Sequence, residues 1–323
     1  MAPTSRNPRA EATSLVAPGH EARVLEPSPP SNNDPAWYAD DPTDPSGATN
    51  ALVTPIPGEG ITWAAFAKGK PEISEFASSH WLGPYRRLKA LPADYDRTRR
   101  ALHQLAFFAL APKRHLINQK IGLRYTHGGF GTPFFGADEQ VRIEGSLLVR
   151  QIGDEVRQTS VSTLTEACRF LEIPYRPAWF EGFSDPPSPI DPGSRLVLAN
   201  DAVSAIGEWF GFATSVLEQL RRMPGAMEVS RVQLWPEHFD LAIEMGPAPG
   251  RASYGASPGD DHHPEPYLYV SAWEPIDRAD PFWNDQSFNG ASLPCSAILA
   301  APDQRDLALE FFHRGYHLLV SRI

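Results

Sequence analysis

Residues 233–246 read QLWPEHFDLAIEMG and carry the clearest structural pattern in the chain. From residue 238 onward the side chains alternate with a period of two. One set is Phe239, Leu241, Ile243 and Met245, and the opposite set is His238, Asp240, Ala242 and Glu244. Because successive side chains of a β-strand point to opposite faces, this pattern predicts a strand with one face in the core and one ionisable face.

Other segments extend this pattern into a fold. Alternation of period two predicts strands at residues 117–125, 141–149 and 266–273, and shorter strands at 155–161, 195–198 and 293–299. Helical spacing predicts helices at 95–111, 162–172 and 202–223, and a last helix that starts at Pro302. Since strands and helices do not alternate regularly, we expect an α+β fold, a mainly antiparallel sheet with helices packed on one face.

Composition limits the class of protein. The chain has 323 residues, of which 33 are proline, and a formal net charge of −10. A proline content about twice the usual ~5% excludes an all-helical bundle. An acidic chain lacks the basic surface of a general nucleic-acid binder. Because nine prolines and few aromatics lie in residues 1–50, we predict a disordered tail there and a single α+β domain at 51–323.

The location follows from what the sequence lacks. No segment approaches the roughly 18 consecutive apolar residues of a membrane span, and the first thirty residues lack the apolar stretch of a secretory signal. Cys168 and Cys295 have no metal-site spacing, so buried free thiols are expected. We therefore predict a cytoplasmic protein with neither membrane nor nucleic acid as a partner.

The face of the predicted sheet that points away from the core has an unusual composition. If the strands share one sheet, this face carries Lys120, Arg124, Arg142, His238, Asp240, Glu244, Tyr267, Tyr269 and Trp273. A solvated face favours Lys, Glu and Thr, whereas aromatic rings have a large apolar area to cover. The face either forms a cleft for a ligand or packs under a loop or helix. A cleft predicts ligand-binding roles for Arg124, His127, Glu244, Tyr267, Tyr269 and Trp273.

Two clusters have residues suited to acid–base chemistry. His238 and Asp240 are two apart and so are expected on one strand face, and Asp260 and His262 lie at the mouth of the 266–273 strand. A carboxylate beside an imidazole can orient the ring and stabilise the imidazolium, so these four residues are the candidate catalytic groups. The alternatives are a histidine that caps the core, a polar exposed loop, or a divalent metal site.

Two further motifs favour structural explanations. The glycines of YTHGGFGTPFFG (125–136) precede another strand rather than a helix, which predicts a hairpin turn or bulge instead of a phosphate-binding loop. His313 and His317 lie four apart on the last helix, a spacing that can bind a metal but also fits a solvated face. No motif identifies a metal ligand set or a cofactor.

Three segments together resemble an uncharacterised family of bacterial proteins, a domain of unknown function. They are the glycine-containing turn at 128–132, the Phe-Asp-Leu-Ala strand at 239–242 and the Pro-Glu-Pro-aromatic segment at 264–269. The likeness covers about residues 95–275, and Glu237-His238 departs from the small or aromatic residues expected there. Because no activity is attached to that family, the resemblance supports segment boundaries and implies no catalytic role.

The sequence thus leads to three functional hypotheses. The first is a protein that binds a small molecule on the polar and aromatic sheet face. The second is a hydrolase-type enzyme that uses His238 and Asp240, with Asp260 or His262, with or without a metal. The third is a protein-interaction module whose 1–50 tail recruits partners. The sequence specifies neither the ligand nor the oligomeric state.

Overall fold

The computed structural model describes most of the chain after residue 86. The described residues are 14–15, 23–24, 69, 87–126, 129–133, 135–136, 139–152, 155–179, 186–221 and 223–321. The tail predicted at residues 1–50 lies outside them, apart from Ser14–Leu15 and Arg23–Val24, which pair antiparallel. The third functional hypothesis rests on that tail, so it stays a prediction.

The first half of the fold is a helical segment followed by a five-stranded sheet. Helix α1 (Tyr95–Leu105) continues through a π-helical turn (Ala106–Leu110) into α2 (Ala111–Asn118). The first sheet is an antiparallel meander in chain order, made of β1 (Arg124–Thr126), β2 (Gly129–Gly131), β3 (Glu139–Glu144), β4 (Leu147–Ile152) and β5 (Glu155–Ser160). Helix α3 (Leu164–Phe170) follows.

The second half repeats this order. Helix α4 (Asn200–Leu220) precedes a second five-stranded antiparallel meander. Its strands are β6 (Gln233–Trp235), β7 (Asp240–Met245), β8 (Ala252–Ser257), β9 (Tyr267–Ala272) and β10 (Gly290–Pro294). Helices α5 (Cys295–Ala300) and α6 (Gln304–Val320) complete the described chain.

One core serves both sheets. Leu123 and Leu234 exchange two backbone hydrogen bonds of 2.8 Å, which join the start of the first sheet to the edge of the second. Helix α4 packs against strands of both sheets. Its Phe210 ring lies 6.0 Å from Phe130 of the first sheet and 5.3 Å from Phe239 beside the second. Helix α4 therefore covers one side of both sheets, and the other side of the second sheet is available for a site.

The predicted fold class is confirmed. The sheets are antiparallel, and the helices predicted at 162–172 and 202–223 correspond to α3 and α4. The strands predicted at 155–161 and 266–273 correspond to β5 and β9. The hairpin predicted at the glycine-rich turn is also confirmed, because Tyr125 on β1 pairs with Phe130 on β2.

Two predicted strands of the first sheet were wrong. Residues 117–125 do not form one strand, because α2 continues to Asn118 and β1 begins only at Arg124. Residues 141–149 form two strands, because the chain turns at Gly145 and Ser146 and pairs Glu144 with Leu147. This turn shifts the alternation, so Leu147 lies on the face of Glu144 instead of the face of Val141.

Two shorter predictions also failed. Residues 195–198 belong to no strand of the described chain, and residues 293–299 contain the end of β10 followed by α5. Cys295 therefore begins a helix, although it and Cys168 are free and buried as expected. Within the described residues, no helix has both the length and the apolar character required to cross a bilayer.

Candidate functional site

A polar cleft of about 1210 Å³ lies over the non-core face of the second sheet. Strands β7, β8 and β9 form its floor, helix α1 and residues 186–197 form walls, and the loops at 235–238 and 257–262 border it. The floor side chains include Asp240, Glu244, Tyr267 and Tyr269. The polar and aromatic side chains of β7 and β9 therefore lie on the floor of a concave site.

Helix α1 is held over this face by contacts with the bordering loops. The ring Nε2 of His103 lies 3.1 Å from the carbonyl oxygen of Pro236 and 3.0 Å from that of Glu237. Burial lowers the pKa of His103 to about 4, so its ring is neutral at physiological pH and donates from Nε2 to these carbonyls. The Tyr95 hydroxyl donates to the Pro258 carbonyl at 3.1 Å.

The second wall is tied to the same helix. The Gln104 side chain donates to the Ser188 carbonyl at 3.0 Å, and the Thr98 hydroxyl accepts from the Ala199 backbone at 3.2 Å. These two contacts join α1 to the 186–199 connection near each end of the part of α1 that lines the cleft. The walls therefore form one unit whose position is set by hydrogen bonds to backbone groups.

Asp240 and Tyr269 form the central contact of the floor. The Tyr269 hydroxyl donates to Oδ2 of Asp240, although the two residues lie on strands separated by β8. Gly255, between them on β8, makes this possible: a Cβ at that position would lie 2.3 Å from Cζ of Tyr269. Only a residue without a side chain lets the tyrosine ring lie across β8 and reach β7.

Burial determines the character of the Asp240 carboxyl. Loss of solvent raises the pKa of Asp240, although nearby His238 and the bond from Tyr269 oppose the shift. Oδ1 of Asp240 is buried and has no hydrogen-bond partner among the described residues. A buried, unsatisfied oxygen is costly, so it is a place where a bound molecule gains by supplying a partner.

Glu237 is a second buried acid at the edge of the floor. Its Oε2 is buried with no partner among the described residues. Burial raises the pKa of Glu237; its own backbone N–H and His238 act against the shift, and Asp240 adds to it. The cleft therefore has two buried carboxyls that favour the protonated form more than an exposed acid does.

Asp260 has the opposite character. Tyr267 donates its hydroxyl to Oδ2 at 2.6 Å, and the backbone N–H groups of His262 and His263 donate to Oδ1 at 2.7 Å each. Burial alone would raise the pKa of Asp260, but these bonds to the charged form lower it. Asp260 is thus an ionised carboxylate in the same cleft as Asp240.

A buried network behind the cleft positions Asp260 and Tyr267. The His263 ring stacks on Tyr267 with centroids 4.1 Å apart, and its Nδ1 and Nε2 face Asp260 at 3.2 Å and Asp285 at 2.9 Å. Asp285 also accepts from the backbone and hydroxyl of Ser287. Burial opposes ionisation of Asp285, but bonds from Ser292, Ser287 and His263 lower its pKa to about 2.

Seven of the predicted site residues meet in the cleft. Those that line it are His238, Asp240, Glu244, Asp260, His262, Tyr267 and Tyr269. Trp273 does not: it is 51% exposed, and its ring lies 5.0 Å from the Arg251 guanidinium. Arg124 is buried on β1 of the first sheet and is not among the lining residues, and His127 lies outside the described residues.

The predicted His238–Asp240 pairing was wrong in its geometry. His238 lies in the turn before β7, Phe239 has a left-handed backbone (φ 56°), and the strand begins only at Asp240. No hydrogen bond joins the two side chains in the described part of the chain, and Asp240 pairs with Tyr269 instead. His238 is exposed beside the cleft, so its catalytic role stays a prediction.

Several site residues were missed by sequence reasoning. His263, rather than His262, contributes the ring of the supporting network, and Asp285 is distant in sequence. His103 and Arg99 lie on a helix whose pattern indicated only packing. Gly255 had a usable signal, because an isolated glycine inside a strand indicates close approach of another group.

The described residues contain no group of three or more His, Cys, Asp or Glu side chains arranged to hold a metal ion. Comparisons of the chain with protein-family models, curated proteins and solved structures give no match.

Gly255→Ala should uncouple Tyr269 from Asp240. In the wild type, Tyr269→Phe should lower the free energy of unfolding by about 1–3 kcal/mol, because it removes a donor from a buried carboxyl. In the Gly255→Ala background, Tyr269→Phe should lower the free energy of unfolding by less than about 0.5 kcal/mol, because the tyrosine ring is already displaced from Asp240. Urea denaturation measures both, with Gly193→Ala as the matched control, since a Cβ there meets only Asp191 at 3.5 Å. Equal costs in both backgrounds would contradict this role of Gly255.

Asp285→Asn should make stability less dependent on acid pH. Because the folded pKa of about 2 lies below the usual 3.8, the carboxylate stabilises the fold fully above the unfolded pKa. That contribution is lost as the pH falls toward 2. The variant should be less stable by about 1–3 kcal/mol at pH 7, with a difference that shrinks between about pH 5 and pH 2. Denaturation series across this range test it with Glu274→Gln as an exposed control. A difference independent of pH would refute the assignment.

Proposed function

We propose that the protein binds a small polar organic molecule in the cleft over the second sheet. The observation that carries the proposal is the unpartnered Oδ1 of Asp240, buried at the floor of a large cleft while Oδ2 is held by Tyr269. A structure that only needed to fold would gain by satisfying or removing this oxygen. A ligand that supplies a hydrogen-bond partner offsets the cost.

The rest of the floor describes the ligand that fits. Asp240 and Glu237 present oxygens to hydroxyl or amine groups. Tyr267, Trp235 and Phe288 line the same space with aromatic rings, which favour a ligand with a carbon ring or chain. The expected ligand is therefore a hydroxylated or amino-substituted small molecule rather than an apolar one.

Asp240→Asn should weaken binding in the cleft. A panel of monosaccharides, amino alcohols and nucleosides is screened by thermal shift, and compounds that bind are measured by isothermal titration. Affinity should fall by about tenfold or more in Asp240→Asn and in Tyr269→Phe, because each changes the group that meets the ligand. Glu310→Gln, an exposed acid on α6, should bind as the wild type does. If both variants bind as tightly as the wild type does, or if no compound of the panel binds, the result counts against the proposal.

A specific observation favours a second function, a hydrolase-type enzyme that works by acid–base catalysis. Two carboxyls of one cleft have pKa values pushed apart, with Asp240 raised by burial and Asp260 lowered by hydrogen bonds. Such pairs divide the roles of acid and base between them. In this proposal Asp240 protonates the leaving group, the ionised Asp260 takes a proton from the attacking water, and exposed His238 lies beside them at the cleft.

The enzyme hypothesis predicts a pH profile set by Asp240. Hydrolysis of chromogenic esters, phosphate esters or glycosides should fall as the pH rises through the raised pKa of Asp240, because the acid must be protonated to act. Asp240→Asn should lower kcat by about 10²-fold or more with little change in KM. If a substrate binds but is not turned over, or if the rate and its profile survive Asp240→Asn, the cleft binds without this catalysis.

A further inference from the structure

We infer that the ligand of the cleft carries an anionic oxyacid group, a carboxylate or phosphate, which the arginines of the helical wall bind. The inference rests on the proposed binding function and adds the chemical class of the ligand. The residues that carry it are Arg97 and Arg99 on α1 and Arg195 on the adjoining wall. None of them was singled out by the sequence patterns.

Arg99 supplies the decisive observation. It is only 4% exposed, yet it lines the cleft, and its Nε is buried without a partner among the described residues. Only its Nη2 has an anionic partner in the described structure, Asp96, at 2.7 Å. Because Arg99 also lines the cleft, this unused N–H can take part in binding an oxyacid group, to which the planar fork of arginine is suited by two parallel bonds.

The carboxylate that balances Arg99 is shared. Asp96 also pairs with Arg100 at 3.0 Å, and Arg100 reaches across to Asp261 at 2.8 Å. Arg97 and Arg195 are exposed in the cleft and form no ion pair with any described residue. Four guanidinium groups on this wall are thus matched by two carboxylates, which leaves a local excess of positive charge beside an otherwise acidic floor.

This separation of charge orients the ligand. The floor carries the ionised carboxylate of Asp260, which repels an anion. An oxyacid group is therefore directed to the α1 side, where it completes the bonds of Arg99 and neutralises Arg97 and Arg195. The hydroxyl or amine groups of the same molecule then face Asp240 and Glu237.

The attachment of the wall supports a preformed site. Gln104 and Thr98 bind the 186–199 connection, so the segments that carry Arg99 and Arg195 are joined by direct hydrogen bonds. The backbone segments that carry the arginines are consequently already joined before a ligand arrives. Preorganised donors of this kind lose less entropy on binding than side chains on separate mobile segments.

The experiment follows the arginine side chains directly. Inorganic phosphate and acetate are titrated separately into the full-length protein at constant ionic strength, and the arginine Nε–H signals are recorded by ¹H–¹⁵N NMR. We expect a saturable shift of the Arg99 Nε–H signal, with little change at Arg169, an exposed arginine on α3 outside the cleft. The tighter of the two probes distinguishes a phosphate-bearing ligand from a carboxylate-bearing one.

Variants separate this inference from the proposed function. The double variant Arg97→Gln with Arg195→Gln should bind the anionic probe with about tenfold lower affinity, whereas Arg169→Gln should bind it as the wild type does. Both substituted side chains are exposed, so the fold should be retained. No saturable shift, or a shift unchanged in the double variant, would overturn the anion site. That result would not affect the binding of neutral compounds that depends on Asp240. Conversely, if the anionic probes bind but no neutral compound binds through Asp240, the binding function as proposed is rejected.

Discussion

Along β7, Leu241 and Ile243 pack into the core while Asp240 and Glu244 face the cleft. Because successive side chains point to opposite faces, a shift of the strand's register that moved one set would also move the other. The apolar face fixes the strand against α4, and this fixes where Asp240 emerges. Burial of Leu241 and Ile243 stabilises the fold by about 1.5–3 kcal/mol each. This packing holds the Asp240 carboxyl in place although its Oδ1 has no partner among the described residues.

The polar face is not simply left in solvent. Helix α1 lies beside it, anchored by His103 and Tyr95 to the carbonyls of the bordering loops. In the same region, burial raises the pKa values of Asp240 and Glu237. The pKa of Asp260 is lowered instead, because Tyr267 and two backbone N–H groups donate hydrogen bonds to its charged form. One cleft consequently contains acids with opposed proton affinities.

The first sheet contributes mainly to the core, whereas the second sheet contributes the floor of the cleft. The first sheet contributes to the core through residues such as Phe130 and connects to the second through Leu123 and Leu234. The described cleft residues come from the second sheet, from α1 and from the connection that follows α3. Helix α4 spans both sheets, so packing in the first half supports the position of β7 in the second.

Local pattern was enough for part of this arrangement. The alternation around Leu241 and the helical spacing around Phe210 predicted elements that the structure contains, because period and burial are properties of short segments. The pattern failed at residues 141–149, where a turn at Gly145 reversed the faces without interrupting the apolar spacing. It failed again at His238, where the left-handed Phe239 backbone separates the histidine from the strand.

The sequence by itself determined that the segments of β7 and β9 each have one apolar face and one face that carries acids or aromatic rings. It did not determine which of those side chains act together. The bond from Tyr269 to Asp240 across Gly255, the shared use of Asp96 by Arg99 and Arg100, and the contact of His263 with Asp285 join different elements or depend on their packing. Partners and proton affinities depend on distance and on the exclusion of water, and both are set only when the elements pack.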